Sequence, residues 1–282
     1  MSVDTARVAP TTTPRTGFGY FDAVLDQPGS VVAMAHRGGA MHADLVGLEN
    51  TLEAFRHAVD LGYHYLETDV HASRDGVLLA FHDIVLDRVT DRLGPLATLT
   101  AEEIGQARIA GAHAVPTMAE LFEEFPDVRF NIDLKAEAAV HPLAALIERT
   151  SAHDRVCVGS FSPGRMRAFR ALTDGRVATS ATPPEVAAFR AAPSGAFART
   201  LLRGPYRPAA LQVPHRRGRL TVVTPGLVRR AHTAGLHVHV WTVDEPDEMH
   251  HLLDLGVDGL ITDRTDLLRD VLVARGQWRD HP

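Results

Sequence analysis

Two carboxylates two positions apart in an apolar segment are the first candidates for chemistry. Glu67 and Asp69 lie within Tyr65–Val70, a run typical of a strand. Because side chains alternate across a strand, the two acids share one face and the more apolar residues share the other. Two carboxylates on an inner face repel each other unless a cation joins them. Hard oxygen ligands on a rigid strand suit Ca²⁺ or Mg²⁺, so the pair predicts a site for one divalent metal ion.

The rarest polar residues of the 282-residue chain meet in one run. Lys135 is the only lysine, although Lys and Arg together number 29, and Asn131 is one of two asparagines. An ammonium and a planar guanidinium are not interchangeable at a tight site. In a strand, Asn131, Asp133 and Lys135 point to one face, and such a polar row is hard to explain by packing. We expect Asp133 to be a third metal ligand, Lys135 to neutralise a bound phosphate and Asn131 to support them.

A histidine and an arginine end the first predicted strand, in the run His36-Arg37-Gly38-Gly39. In β/α barrels, catalytic residues gather at the carboxyl ends of the strands. The glycines allow a sharp turn and a close approach to a ligand. His36 therefore supplies a proton-transfer group and Arg37 a bidentate clamp for a phosphate or carboxylate.

A second histidine, His82, is expected to reach the same place through a tight hairpin at an Asp-Gly turn. If the turn is centred after Arg74, His82 lies opposite Glu67, and a bulge at Gly76 shifts this pairing by one residue. Either register places His82 beside the predicted metal, with Asp83 to orient it or to hold the segment. Two imidazoles flanking one metal are what phosphoryl transfer with general acid–base assistance requires.

Several weaker features remain. Trp241 follows a predicted strand and either floors the pocket or belongs to the core. Asp263, after the last strand, is interpreted as part of a turn. His237 and His239 alternate inside a strand and are interpreted as surface residues or as barrel filler, and Cys157 is interpreted as a core residue.

Short apolar runs alternate with amphipathic stretches from Val31 onwards. This alternation predicts a parallel sheet with crossover helices, and the length suits an α/β fold of the TIM (β/α)₈ barrel type. We expect a single domain over 29–276 after a loosely ordered N-terminal arm, 1–28. Nine strand candidates are one too many for the barrel, so a hairpin-like segment is placed within 67–82. Residues 192–219 are predicted to be a loop region around one short strand.

The composition excludes several classes of protein. Charged residues make up 23% and hydrophobic ones 45%, which excludes a disordered chain, and the formal charge of −6 argues against a nucleic-acid binder. The sequence lacks an apolar run long enough for a membrane span and a recognisable secretory signal at its start. With a single cysteine, a reducing cytoplasm is the expected location. The expected partner is a small-molecule phosphodiester; the oligomeric state is left open.

Taken in order, these motifs resemble those of the glycerophosphodiester phosphodiesterase family of PI-PLC-like phosphodiesterases. The resemblance runs from about Val31 to Leu268 and implies a TIM barrel, a divalent metal, and hydrolysis of glycerophosphodiesters to sn-glycerol 3-phosphate and an alcohol. The matching motifs are His36-Arg37-Gly38, Glu49-Asn50-Thr51, Glu67–Val70, Asp75-Gly76, His82-Asp83, Asn131–Lys135, Trp241-Thr242-Val243 and Gly259–Asp263.

The resemblance also implies a role for each matching residue. Glu67 and Asp69 become metal ligands, His36 and His82 the general acid and base, and Arg37 and Lys135 phosphate contacts. Glu49 is implied to help order the mouth of the site, and Asn50 belongs to the same motif.

Three departures from the family pattern concern the mouth and the metal. The third ligand is usually glutamate, whereas this chain has the shorter Asp133. The stretch Gly39–Leu48 is longer than usual, Leu48 replaces a proline, and with His42 and Asp44 this stretch is expected to reshape the mouth. The region from about Ile84 to Val115, where many relatives carry an insertion, is short.

Two other functions remain open. One is a lysophospholipase D-type activity at the same site, which an apolar groove around the longer loop would favour. The other is a non-catalytic barrel that binds phosphodiesters, which a missing histidine or carboxylate would have favoured. The sequence does not decide the leaving group, the native metal or which histidine is the acid.

Overall fold

The strands of this chain form a barrel. A computed structural model describes residues 12–26, 29–202, 204 and 206–278. The strands in these residues are β1 Val32–His36, β2 Tyr65–Ala72, β3 Leu78–Ala80, β4 Arg129–Leu134, β5 Val156–Gly159, β6 Ala178–Thr179, β7 Ala210–Pro214, β8 Arg216–Arg217, β9 Leu220–Thr221, β10 His237–Trp241 and β11 Gly259–Thr262. The helices are α1 Gly19–Asp22, α2 Leu52–Asp60, α3 Ala101–Ile104, α4 Met118–Glu124, α5 Val140–Arg149, α6 Pro163–Leu172, α7 Pro183–Ala191, α8 Gly195–Leu201, α9 Pro225–Ala234, α10 Pro246–Asp254 and α11 Thr265–Ala274.

Eight parallel strands follow one another around the barrel in the order β6-β5-β4-β2-β1-β11-β10-β7. The two ends of this order meet at a parallel bridge between Ser180 and Ala210. Backbone hydrogen bonds from Ala181 N to Ala210 O and from Ala209 N to Thr179 O, both 2.8 Å, support the closure. The prediction of an eight-stranded TIM barrel is confirmed.

The barrel wall separates two apolar layers. Outward side chains such as Leu66, Val70 and Ile132 pack under the helices in the larger cluster. Inward side chains such as Met34 and Tyr65 form a smaller cluster inside the barrel. The alternation expected for β2 is therefore confirmed, since Leu66 and Val70 face the helices.

The amino-terminal segment closes the barrel interior. Tyr20 and Phe21 of α1 are fully buried in the inner cluster. Tyr65 Oη donates to Tyr20 O at 2.8 Å, and Arg207 donates to Thr16 O at 2.6 Å. The prediction of a loosely ordered arm is wrong for residues 12–26, because two aromatic side chains bury their rings there; residues 1–11 and 27–28 lie outside the described residues.

The predicted hairpin forms, in the register of the bulged alternative. β3 pairs antiparallel with β2, with Val70 opposite Ala80, and Phe81 N donates to Asp69 O at 2.9 Å. The pairing is thus one residue away from the register that placed His82 opposite Glu67. Gly76 lies at the turn with φ +83°, a conformation that glycine adopts without strain.

Residues 192–219 are more ordered than predicted. They contain helix α8, which starts at the N-cap Ser194, and strand β8, which pairs with β9 in a short exposed ribbon. Pro193, Ser194 and Gly195 suggest a loop in the sequence, but Ser194 caps the helix, Gly195 begins it and Pro193 precedes the cap. Within the described residues, none of the helices combines the length and apolar character needed to cross a bilayer.

Candidate active site

The predicted polar residues of three strands lie side by side at the carboxyl end of the barrel. Registers pair His36 of β1 with Glu67 of β2, and Asp69 of β2 with Asp133 of β4. Because these strands are parallel neighbours, their last inward side chains converge. Asn131 pairs with Glu67 one layer below. The structure therefore brings together the residues predicted from separate motifs.

Two cations neutralise the buried carboxylates. Lys135 Nζ lies 2.9 Å from Asp69 Oδ1 and 2.8 Å from Asp133 Oδ2. Arg37 Nε lies 3.0 Å from Asp69 Oδ2, and Arg37 N donates to Glu67 Oε2 at 3.3 Å. The predicted inward row of β4 is confirmed in position, and its lysine pairs with acids of two strands.

The carboxylates are strongly perturbed. Burial, and after it the charge of Asp69, raise the pKa of Glu67 to about 7. Burial also raises the pKa of Asp133, against the opposing charge of Lys135. For Asp69 burial is outweighed by Lys135 and Arg37, so its pKa is lowered, with a smaller contribution from His82. For Glu67 the nearby His36 and Arg37 do not outweigh burial and the charge of Asp69, so a cation bound at this carboxylate would relieve an unfavourable charge.

These donors fit a hard divalent cation. Arg37 Nε and Asp69 Oδ2 lie close enough for a salt bridge, but the angle at the N–H is not that of a hydrogen bond. Both atoms are buried and have no hydrogen-bond partner among the described residues. An orphaned carboxylate oxygen beside a carboxylate with a raised pKa is what a cation would satisfy. The oxygens of Glu67, Asp69 and Asp133 do not all lie within 4.8 Å of one another. Lys135 bridges Asp69 and Asp133.

His36 is oriented by an acid that sequence reasoning assigned to a turn. Its Nδ1 lies 2.9 Å from Asp263 Oδ1, and its Nε2 lies 3.7 Å from Glu67 Oε2. Burial lowers the pKa of His36, but the charge of Glu67 and the hydrogen bond to Asp263 outweigh it, so the pKa is raised. Strand parity could have found Asp263, since it continues the inward face of β11 two residues beyond Ile261. Asp244 in turn accepts a hydrogen bond from Asp263 N at 2.8 Å.

His82 is oriented by its neighbour, as predicted. Its Nδ1 lies 2.5 Å from Asp83 Oδ1, and Asp83 also accepts from Arg88 Nε at 2.6 Å. The hydrogen bond from Arg88 lowers the pKa of Asp83 to about 2. Each histidine of the site therefore has its Nδ1 on a carboxylate, which directs Nε2 away from it.

An arginine that the sequence analysis missed links the two halves of the site. Arg88 donates from both terminal nitrogens to Glu49, each at 2.7 Å, and Glu49 also accepts from Arg37 at 3.2 Å. Burial raises the pKa of Glu49, but Arg88 and Arg37 outweigh burial and the pKa is lowered. Glu49 thus contacts Arg37 directly and is linked to Asp83 through Arg88, and its ordering role stays a prediction. No local pattern around Arg88 marks it in the sequence.

Both asparagines have structural partners behind the site. Asn50 adopts φ +57°, in the left-handed region that asparagine tolerates, and accepts from Thr68 Oγ1 at 2.8 Å. Asn131, which pairs with Glu67 and lies below Asp69 and Asp133, accepts from Gln212 at 2.7 Å. These contacts explain why the rare amides stand at these positions without contact to a reacting group.

Trp241 ends the inward face of β10. Its ring lies 6.1 Å from that of Phe161 in an edge-on arrangement. The partly exposed ring adjoins the inner cluster. The interpretation of Trp241 as a core residue agrees with this packing, and its role in lining the pocket stays a prediction.

The comparisons with known proteins identify the class. The sequence model of the Glycerophosphoryl diester phosphodiesterase family matches residues 36–267, which span all the site residues above. The chain belongs to this family. It is 45% identical over 253 residues to the "Probable glycerophosphodiester phosphodiesterase 2" of Mycobacterium tuberculosis, covering 89% of this chain and 94% of that protein. It is 25% identical to the human "Lysophospholipase D GDPD1", covering 85% of each chain.

Solved structures share the fold. A putative glycerophosphoryl diester phosphodiesterase from Silicibacter pomeroyi superposes with a TM-score of 0.75 at 24% identity, covering 93% of this chain and all of that one. A phosphodiesterase from Oleispira antarctica, solved in complex with the product sn-glycerol-3-phosphate, superposes with a TM-score of 0.71 at 21% identity. The match covers 86% of this chain and 96% of that one.

Proposed function

We propose that this chain is a metal-dependent phosphodiesterase that hydrolyses glycerophosphodiesters to sn-glycerol 3-phosphate and an alcohol. One observation carries the proposal: two imidazoles, each held by a carboxylate on Nδ1, stand beside the cluster of Glu67, Asp69, Asp133 and two cations. Membership of the family supports the substrate class.

His36 and His82 are the acid–base pair in this proposal. Asp263 and Asp83 hold their Nδ1 atoms, which leaves each Nε2 to exchange a proton with the attacking oxygen or the leaving oxygen. Each such transfer typically contributes about 10²–10⁴-fold to the rate. Lys135 and Arg37, already held by Asp69, provide positive charge for the phosphate oxygens.

The three carboxylates are proposed to hold one Ca²⁺ or Mg²⁺ ion. When bound, such an ion supplies charge that stabilises the phosphoryl oxygens as negative charge accumulates on them. The side-chain oxygens of Glu67, Asp69 and Asp133 are the donors, and Asn131 and Asn50 hold the neighbouring strands from behind.

Glycerophosphocholine hydrolysis tests the assignment. The purified chain is assayed after removal of metal by a chelator, and Ca²⁺, Mg²⁺ and Mn²⁺ are added back separately. Activity is expected to vanish with chelator and to return with at least one ion. His36→Ala and His82→Ala are expected to lose at least about 10²-fold in turnover while remaining folded. His153→Ala, at a partly buried histidine outside the site that pairs with the exposed Glu148, serves as the matched control.

Full activity in the presence of chelator would contradict metal dependence. Near-normal turnover of either histidine variant would contradict the acid–base role of that histidine. Binding of the diester by the wild-type chain without any hydrolysis would instead favour the non-catalytic barrel.

A lysophospholipase D-type activity is the second candidate, because the rim of the site is apolar. Met41, Val46, Ile84 and Phe161 follow strand ends on the site face and are 58%, 74%, 72% and 62% exposed. Exposed apolar side chains around a site suit an acyl chain. Hydrolysis of lysophosphatidylcholine is compared with that of glycerophosphocholine in wild type and Val46→Ser/Ile84→Ser. A selective loss on the lysolipid supports this candidate, whereas an equal response on both substrates contradicts it.

A further inference from the structure

A second cluster of metal-ligating side chains lies outside the candidate active site. Ligand atoms of His42, Asp44 and His57 all lie within 4.8 Å of one another, and no other such group occurs in the described ranges. The rings of His42 and His57 are 4.4 Å apart at an interplanar angle of 54°. These residues belong to the long loop 39–48 and to α2, and neither the acid–base pair nor the carboxylate cluster uses them.

The two imidazoles of this cluster differ in how free their nitrogens are. Asp44 N donates to His42 Nδ1 at 3.2 Å, so the lone pair of this nitrogen is engaged in a hydrogen bond that a metal ion at Nδ1 would replace. His57 Nδ1 is buried without a hydrogen-bond partner among the described residues. A buried imidazole nitrogen without a partner calls for an explanation such as an ion.

The backbone holds the ligands in place. His42 N donates to Gly39 O at 3.0 Å, and Leu45 N donates to His42 O at 2.9 Å, so the loop is a series of turns. Leu45 anchors it with only 2% exposure. His57 is fixed by α2, whose N-cap Thr51 accepts a hydrogen bond from Ala54 N with its side chain. A loop and a helix that present ligands from fixed backbones form a site at small entropic cost.

We propose that His42, Asp44 and His57 form a second metal site that binds Zn²⁺ and joins loop 39–48 to α2. Two imidazoles and one carboxylate suit zinc, with water as a fourth ligand, and they suit Ca²⁺ or Mg²⁺ poorly. The nearby Asp266 is already paired with Arg264 at 2.7 Å and is not counted among the ligands.

The zinc site would stabilise the mouth of the candidate active site. Met41 N donates to Asp263 O at 3.1 Å, so the loop is tied at one point to the acid that orients His36. Zinc adds a second tie, to α2. The proposal does not depend on the proposed function, since it concerns three residues outside the catalytic cluster.

Zinc binding by the metal-free full chain tests the proposal. Bound zinc per chain is measured after gel filtration, and Co²⁺ is used as a spectroscopic probe of four-coordinate geometry. His57→Gln and His42→Gln are each expected to bind one zinc fewer than wild type and to lose the tetrahedral Co²⁺ absorption. Zinc is expected to raise the Tm of wild type by several degrees, and this rise is expected to disappear in both variants. His153→Gln is the matched control.

Two further measurements separate this site from the carboxylate cluster. Asp69→Asn is expected to keep the tetrahedral Co²⁺ signal, and His42→Gln to keep glycerophosphodiester hydrolysis in Ca²⁺ or Mg²⁺. His42 and Asp44 lie on a surface loop. His42→Gln and Asp44→Asn therefore still measure the contribution of this site to zinc binding if His57→Gln fails to fold. Unchanged zinc stoichiometry and an unchanged Tm rise in His42→Gln and Asp44→Asn would overturn the proposal.

Discussion

At the scale of single residues, the site depends on side chains whose partners fix their orientation. Asp263 and Asp83 hold the two imidazoles, Lys135 joins two acids, and Arg88 binds Glu49 and Asp83. Positioning by a second layer of hydrogen bonds is commonly worth one to two orders of magnitude in activity.

Asp263→Asn tests the orientation of His36. The amide keeps the shape of the side chain but lacks the charge and acceptor symmetry that hold the Nδ1–H. We expect kcat to fall by about 10- to 100-fold with a smaller change in KM. Steady-state kinetics on glycerophosphocholine measure both constants. Asp254→Asn is the control, because Asp254 is an exposed acid paired with Arg275. An unchanged kcat would contradict the role of Asp263 in orienting His36.

Lys135→Arg tests why the chain keeps its single lysine. The compact ammonium contacts Asp69 and Asp133 at once, whereas a planar guanidinium in the same space displaces one of them. We expect activity to fall by about 10²-fold although the charge is kept. Arg176→Lys, at a surface pair with Glu148, is the reciprocal control and should stay active. Equal activity of Lys135→Arg and wild type would mean that only charge matters.

At the scale of elements, the turn after β1 depends on close approach of backbone to helix. A Cβ on Gly38 would lie 2.6 Å from Ala54 Cβ of α2, and Gly38 has φ +88°. Gly47 has nearly the same φ, +83°, but a Cβ there meets nothing within 4 Å.

Gly38→Ala and Gly47→Ala therefore separate crowding from backbone strain. Both substitutions place an alanine in the left-handed region, which lowers the free energy of unfolding by about 1–2 kcal/mol. Only Gly38→Ala also crowds α2, which lowers it by about 1–3 kcal/mol more. In urea unfolding, we expect the free energy of unfolding to fall further in Gly38→Ala than in Gly47→Ala, by the amount due to crowding. Equal losses would mean that α2 moves away without cost.

At the scale of the whole molecule, the barrel interior is polar as well as aromatic. His239 is fully buried between Gln212 and the ring of Phe21. Burial, and after it the charge of His237, lower the pKa of His239 to about 3.

Stability is therefore expected to depend on pH. Between pH about 6.5 and 3 the unfolded chain binds a proton at His239 that the folded chain does not, so stability falls as the pH is lowered through this window. The slope from this group is at most about 1.4 kcal/mol per pH unit. His239→Gln should unfold with a flatter dependence between pH 7 and 5 than wild type or His153→Gln. Parallel dependences would exclude His239 as a source of the acid sensitivity.

The sequence by itself determined the alternation of strands and helices, and which side chains of β2 and β4 face inward, because both follow from periodicities that the chain carries locally. It also predicted His36, His82 and the three acids as candidate site residues, since polar residues in or directly after apolar strands are visible without a fold. Only the tertiary structure decided the role of Asp263, the link through Arg88, the register of the hairpin and the burial of Tyr20 and Phe21. Each of these depends on contacts between segments far apart in the chain, and the free energy of such contacts is set by barrel closure rather than by local pattern.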